Sequence, residues 1–190
     1  MTSSNEPAAG PGNKGTVVGK GTDLQDIAAR SLEIMATGSL PDFEAVVHPD
    51  AVNREGITEP AATRGSGPAA FFATAQWLRG AFADLHHEIH ESVTAGDLVV
   101  LHTTMTGRQV GPFVVYDENA AVKQAFPPTG RNFASTQTHW IRIRDGKVIE
   151  HWANRDDLTL SEQLGWIPPS PRYLIRMAIA KRKAAKGSSS

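Results

Sequence analysis

Apolar positions recur first at helical and then at strand spacing, with the change near Leu85. Leu24, Ile27, Ala28, Ser31 and Met35 lie three and four apart, as on one buried helix face. Thr22-Asp23-Leu24-Gln25 in front of them matches a capping box, and Gly38 is the stop. Ser39-Leu40-Pro41-Asp42 opens a second, short helix with Phe43, Val46 and Val47 buried, ending near His48-Pro49. Gly67-Pro68 opens a third, because proline suits the first helical turn; Phe71, Ala75, Leu78 and Phe82 form its apolar stripe.

Beyond Leu85 the pattern predicts strands over 86–93 and 98–106 around Ala95-Gly96, then over 113–116, 133–144 and 147–154. Residues 117–130, with Pro127-Pro128 and Gly130 near their end, read as a loop. Residues 158–164 read as a helical turn ended by Gly165, and 173–183 as an amphipathic helix. Helices first and strands after, joined by short turns, argue an α+β domain with helices on one face of an antiparallel sheet.

Asp145-Gly146 is the strongest hairpin signal in the chain, since both residues tolerate positive φ. An uninterrupted two-residue hairpin pairs Arg144 with Lys147, Ile141 with Glu150, His139 with Trp152 and Gln137 with Asn154. Paired residues share a face. One face then carries Gln137, His139, Glu150, Trp152, Asn154 and Asp156; the other carries Trp140, Ile149, His151, Ala153 and Arg155. The first combines apolar surface with a few convergent polar groups, the make-up of a pocket wall. A slip of one residue would exchange the faces.

Composition narrows the options. The chain has 190 residues, a 40% hydrophobic share, a net charge of −1 and a pI near 6.7, so no global charge draws it to nucleic acid or membrane. It has no cysteine, which excludes disulfides, thiolate metal sites and a cysteine nucleophile and suits a cytoplasmic protein. No run is apolar enough to span a bilayer. Residues 1–21 read as a flexible tail without a secretory hydrophobic segment, 22–168 as one domain, and 169–190 as a helix with a basic tail. The basic run from Arg172 to Lys186 reads as a solvated helix face. His87-Glu88-Ile89-His90 is one residue short of a zinc-binding H-E-x-x-H and lies in a predicted strand, so it reads as a solvated strand face and no metal is expected.

The segment Glu150-His151-Trp152-Ala153-Asn154-Arg155-Asp156-Asp157-Leu158, closing on Gln163-Leu164-Gly165, carries a family resemblance. With Val47-His48-Pro49-Asp50-Ala51-Val52-Asn53, Gly96-Asp97, Thr106-Gly107, Thr129-Gly130-Arg131 and Arg144-Asp145-Gly146-Lys147, it resembles the SnoaL-like polyketide cyclases from about Leu24 to Trp166. The resemblance implies a cone-shaped α+β barrel whose strongly curved sheet encloses a pocket. It also implies cofactor-free cyclase or isomerase chemistry, with an aspartate as acid and base on a small, hydrophobic, enolisable carbonyl compound. By position that aspartate is Asp156, with His139 as catalytic histidine; Trp152, Asn154, Gln137, Asn53 and His48 would bind substrate. Arg54 follows Asn53 where the family often has histidine. Burial beside Trp152 would raise the pKa of Asp156, and the enzyme reading depends on that carboxyl being inside the pocket. Capping of the next helix is the plainer role for Asp156 and Asp157. Two other functions compete: epoxide hydrolysis in a related cone fold, at which Arg155 and Asp156 hint, and a non-catalytic ligand-binding or dimerising module. A homodimer formed through the outer sheet face would use Trp140 and Ile149.

Overall fold

The computed structural model describes residues 20–187, and the side chains from Asp23 onward. The Thr22 side chain and residues 1–19 lie outside the described residues, and α1 begins at Lys20, two residues ahead of the cap expected at Thr22. Helices α1 (Lys20–Thr37), α2 (Leu40–Val46) and α3 (Gly67–Ala81) occupy the three predicted apolar stripes, except that Phe82, expected on the third helix, opens the following strand. Ser39 starts α2: its backbone N–H and hydroxyl both donate to Asp42 Oδ2, at 2.8 and 2.7 Å. Arg79 of α3 donates to the carbonyls of Ile34, Met35 and Gly38, so the free C-terminal carbonyls of α1 become the joint between the two helices.

Strands β1 (Val47–Asn53), β2 (Phe82–Ala95), β3 (Leu98–Gln109), β6 (Asn132–Arg144) and β7 (Lys147–Arg155) form a five-stranded sheet in the order β1-β7-β6-β3-β2. β4 (Phe113–Tyr116) and β5 (Val122–Phe126) form a separate hairpin. Two of the strands depart from the sequence reading. β1 replaces the expected helix end and turn at His48-Pro49, and it runs parallel to β7, placing Asn53 beside His151. Pro49 is tolerated there because β1 is an edge strand. The expected 117–130 loop contains β5; Asp117 Oδ1 closes the turn by accepting the N–H groups of Asn119 and Ala121, both at 2.9 Å.

Register shifts along β2, between Ala83 and His86 and between Ile89 and Glu91, bend the sheet. The helices cover its concave side. One apolar cluster joins Phe43, Leu101, Ile141 and Val148 under α1–α3. A second joins Phe82, Phe133, Leu164 and Trp166 to Tyr173 of α5 (Pro171–Gly187). Trp166 stacks on Phe126 at 4.3 Å and on Phe113 at 5.5 Å, closing that end of the cone. A cavity of about 450 Å³ opens between the clusters. No helix among the described residues is long and apolar enough to cross a membrane.

The Asp145-Gly146 turn forms as predicted, with φ of 53° and 73°. The hairpin is not uninterrupted. Ile143 pairs with Val148 but Arg142 pairs with Glu150, which leaves Ile149 unpaired as a bulge. From there the partners are Ile141–His151, His139–Ala153 and Gln137–Arg155. Every β7 side chain beyond the bulge is on the face opposite to the one expected.

Candidate active site

That bulge decides which groups reach the cavity. Gln137, His139, His151 and Arg155 line it, joined by Asn53 from β1. Trp152 is on the outer face, stacked on Trp140 at 5.9 Å with a 6° interplanar angle and covered by Arg54 at 4.5 Å. Asn154 lies there too, accepting the Trp140 Nε1–H at 3.2 Å. Glu150 pairs with Arg54 and Arg142. His48 is also outside the cavity lining, its Nδ1 accepting the Asp50 N–H at 3.1 Å. The expected pocket positions of Trp152, Asn154, Glu150 and His48 are therefore corrected, and so is the expected outward position of Arg155.

Asp156 is corrected in the same way, so the condition set on it is not met and an acid/base role must rest on groups that do line the cavity. Its carboxyl is exposed and caps α4 (Asp157–Gln163), accepting the Thr159 N–H at 3.0 Å. Those hydrogen bonds from Thr159 hold its pKa below the ordinary carboxylate value, the reverse of the expected rise. Only Gln137, His139 and Asn53 of the predicted site residues meet in the cavity.

They do so in a continuous chain. Asn53 Oδ1 is 3.0 Å from His151 Nδ1; His151 Nε2 is 3.0 Å from His139 Nδ1; His139 Nε2 is 2.9 Å from Gln137 Oε1. The protons can be counted. Asn53 Oδ1 also accepts the Glu55 backbone N–H at 3.2 Å, which fixes the amide with its oxygen toward His151. An oxygen only accepts, so His151 Nδ1 carries hydrogen. A neutral imidazole has one N–H, so His151 Nε2 is a lone pair and accepts from His139 Nδ1. His139 Nε2 is then a lone pair facing the Gln137 oxygen. Three hydrogen bonds need three protons and two neutral rings supply two. The chain is completed when His139 gains a proton, or when the Gln137 amide turns its nitrogen inward.

Burial pushes His139 well below the ordinary histidine value, reinforced by His151, His87 and Arg155. It pushes His151 down to about 4, with Arg155 and His87 adding to the effect. His151 lines the cavity. Both rings are neutral at pH 7, and His139 presents a basic nitrogen.

Three participants left no clear trace in the sequence reading. His87, assigned to a solvated strand face, lines the cavity with its ring 5.8 Å from that of His139; burial lowers it to about 4, and its Nδ1 has no partner. Register shifts in β2 on either side of it defeat simple alternation. Glu55 pairs with Arg155 at 2.8 Å. Glu59, 2% exposed, sits in an irregular stretch that no periodicity describes. The available signal was two histidines on the two arms of one Asp-Gly hairpin. Among the described residues no group of three or more His, Cys, Asp or Glu is placed to hold a metal ion.

Comparison with known proteins agrees with this architecture. Residues 25–164 match the family model described as SnoaL-like polyketide cyclase. The chain is 33% identical over 147 residues to the aklanonic acid methyl ester cyclase DnrD of Streptomyces peucetius, covering 77% of this chain and 93% of that protein. It is 31% identical over 116 residues to the nogalonic acid methyl ester cyclase of Streptomyces nogalater, covering 60% of this chain and 77% of the relative. The solved structure of TsrD from Streptomyces laurentii superposes with a TM-score of 0.60 at 25% identity, over 76% of this chain and 96% of TsrD. Sequence, cone and cavity together place the chain in the SnoaL-like polyketide cyclase family.

Proposed function

We propose that the protein closes a carbon ring in the methyl ester of a polyketide acid by a cofactor-free aldol step, with His139 as the base. The observation that carries this reading is the hydrogen-bond chain Asn53–His151–His139–Gln137, which holds His139 in the wall of an apolar cavity. A carbon between two carbonyls is already acidic, so a neutral imidazole suffices to remove its proton. The resulting imidazolium satisfies the whole chain, with Asn53 and Gln137 oxygens accepting at its two ends. The hydrogen-bond chain thus has acceptors for the proton that His139 gains, while burial and the Arg155 charge favour its prompt release. The cavity volume lies in the range of small-molecule sites, and the unpartnered His87 nitrogen offers a further polar contact to a substrate. The relatives' names supply the test substrates. Purified protein with aklanonic or nogalonic acid methyl ester is expected to give a product isomeric with the substrate, separable by liquid chromatography. Absence of a new isomer from both esters overturns the reading.

Epoxide hydrolysis is the second reading, favoured by one observation. Arg155 faces the cavity with Nη2 2.8 Å from Glu55 Oε2 and Nε 3.8 Å from Asp157 Oδ1. A product heavier by one water identifies it. In the leading reading two copies pair across the outer sheet face, where the Trp140–Trp152 stack offers apolar area. Light scattering is expected to give the mass of a dimer, and Trp140→Ser the mass of a monomer.

A further inference from the structure

We infer that Glu59 is a second proton-transfer group of this cavity, its carboxylic acid protonating the oxygen of the attacked carbonyl while His139 takes a proton from carbon. The inference rests on the ring-closure reading and adds its acid.

Glu59 follows the 3-10 turn Arg54–Thr58, is 2% exposed and lines the cavity. Its Oε2 is 2.6 Å from Thr74 Oγ1, which is itself 3.4 Å from the carbonyl of Ala70 one turn earlier in α3. The hydroxyl has one hydrogen and, when Glu59 is ionised, two oxygens that only accept. A proton on Glu59 serves both contacts: Glu59 donates to Thr74, and Thr74 donates to Ala70. The 2.6 Å separation suits an O–H···O bond. Burial raises the carboxyl pKa and Glu55 adds to the rise. The Thr74 hydroxyl, Arg155 and the Thr63 hydroxyl oppose it and are outweighed. Arg64 donates to the Glu59 backbone carbonyl, at 3.2 Å, and to the carbonyls of Ile57, Asp117 and Glu118.

The reaction balances. The C–H bond breaks and its proton goes to His139 Nε2. The enolate carbon bonds to the carbonyl carbon, the carbonyl π pair moves to oxygen, and that oxygen takes the Glu59 proton. The site ends as imidazolium and carboxylate with no change in net charge. Exchange with solvent through the cavity mouth returns both groups to their starting forms.

A structural tie between the turn and α3 needs only an acceptor for Thr74, which glutamine also provides. Glu59→Gln is therefore expected to lower kcat by roughly 10²-fold, with KM and Tm unchanged and the alkaline limb of the kcat/KM profile abolished. Undiminished turnover by Glu59→Gln, with the wild type active, overturns this inference alone. A wild type inert on both esters overturns the cyclase reading and this one with it. If Glu59→Gln does not fold, Thr74→Val reads the same group. Loss of the hydroxyl donor to the carboxylate moves the alkaline limb upward, and an unmoved limb counts against Glu59. Independently of substrate, carboxyl 13C NMR is expected to show Glu59 titrating above the solvent-exposed glutamates; titration alongside them overturns the proposal.

Discussion

His139→Ala is expected to reduce turnover of the methyl ester by roughly 10²- to 10⁴-fold, the contribution typical of a positioned general base. The loss should fall on kcat, because the imidazole acts as a proton leaves carbon, whereas binding is shared with the apolar wall. His151→Phe tests the orienting role separately. It removes the acceptor for the His139 Nδ1–H, 3.0 Å away, and with it one of the two contacts that fix the His139 ring. A smaller drop than for His139→Ala is expected, together with an altered acid limb of the pH–rate profile. Asp156→Asn supplies the contrast. Asparagine caps a helix about as well as aspartate, and the side chain is outside the cavity, so turnover should be retained. Full activity in His139→Ala, or its loss in Asp156→Asn, would reverse the assignment made here.

Acidification should destabilise the fold as soon as the pH falls below the ordinary histidine value. His87 and His151 have folded pKa values of about 4, against 6.5 for an ordinary histidine, and His139 is shifted the same way. Below pH 6.5 the unfolded chain takes up these protons and the folded one does not, so stability falls as pH drops. The loss runs to about pH 4, where the folded protein begins to bind the same protons. Each of His87 and His151 contributes about 3 kcal/mol across that window, at roughly 1.4 kcal/mol per pH unit. Glu59 works in the opposite direction: its raised pKa lets the folded state bind a proton earlier than the unfolded chain does. Three histidines outweigh one carboxyl. Urea midpoints measured from pH 7.5 to 4.5 should fall steadily, and His151→Phe should show a shallower slope. A midpoint independent of pH over that range would falsify the burial-driven shifts.

The helical half of the fold was legible because its stripes are long and their caps explicit: Ser39 and Asp42 do start α2, and Phe43 and Phe71 are buried. β1 was less so, since the proline in Val47–Asn53 argues against a strand except at an edge, and only the assembled sheet shows which strand is at the edge. β5 was hidden by the short, polar-interrupted run Val122–Phe126, which finds its partner only in β4. In the site, Gln137 and His139 were correctly grouped because β6 alternates without interruption from Phe133 to Ile143. The β7 side could not be, since periodicity does not reveal where a bulge falls.

By itself the sequence determined the α+β class, the Asp-Gly hairpin, the family resemblance and the β6 part of the cavity wall, Gln137 and His139. Local spacing is enough for the elements and the hairpin, because they depend on residues within a few positions of one another, whereas the resemblance rests on the order of short motifs from Leu24 to Trp166. The tertiary structure decided the rest of the wall. One unpaired residue, Ile149, turns His151 and Arg155 inward and Trp152, Asn154 and Asp156 outward. Packing of the 3-10 turn against α3 buries Glu59 beside Thr74. Side chains alternate with a period of two, so a single extra residue exchanges the faces, and its cost is set by contacts far apart in the chain.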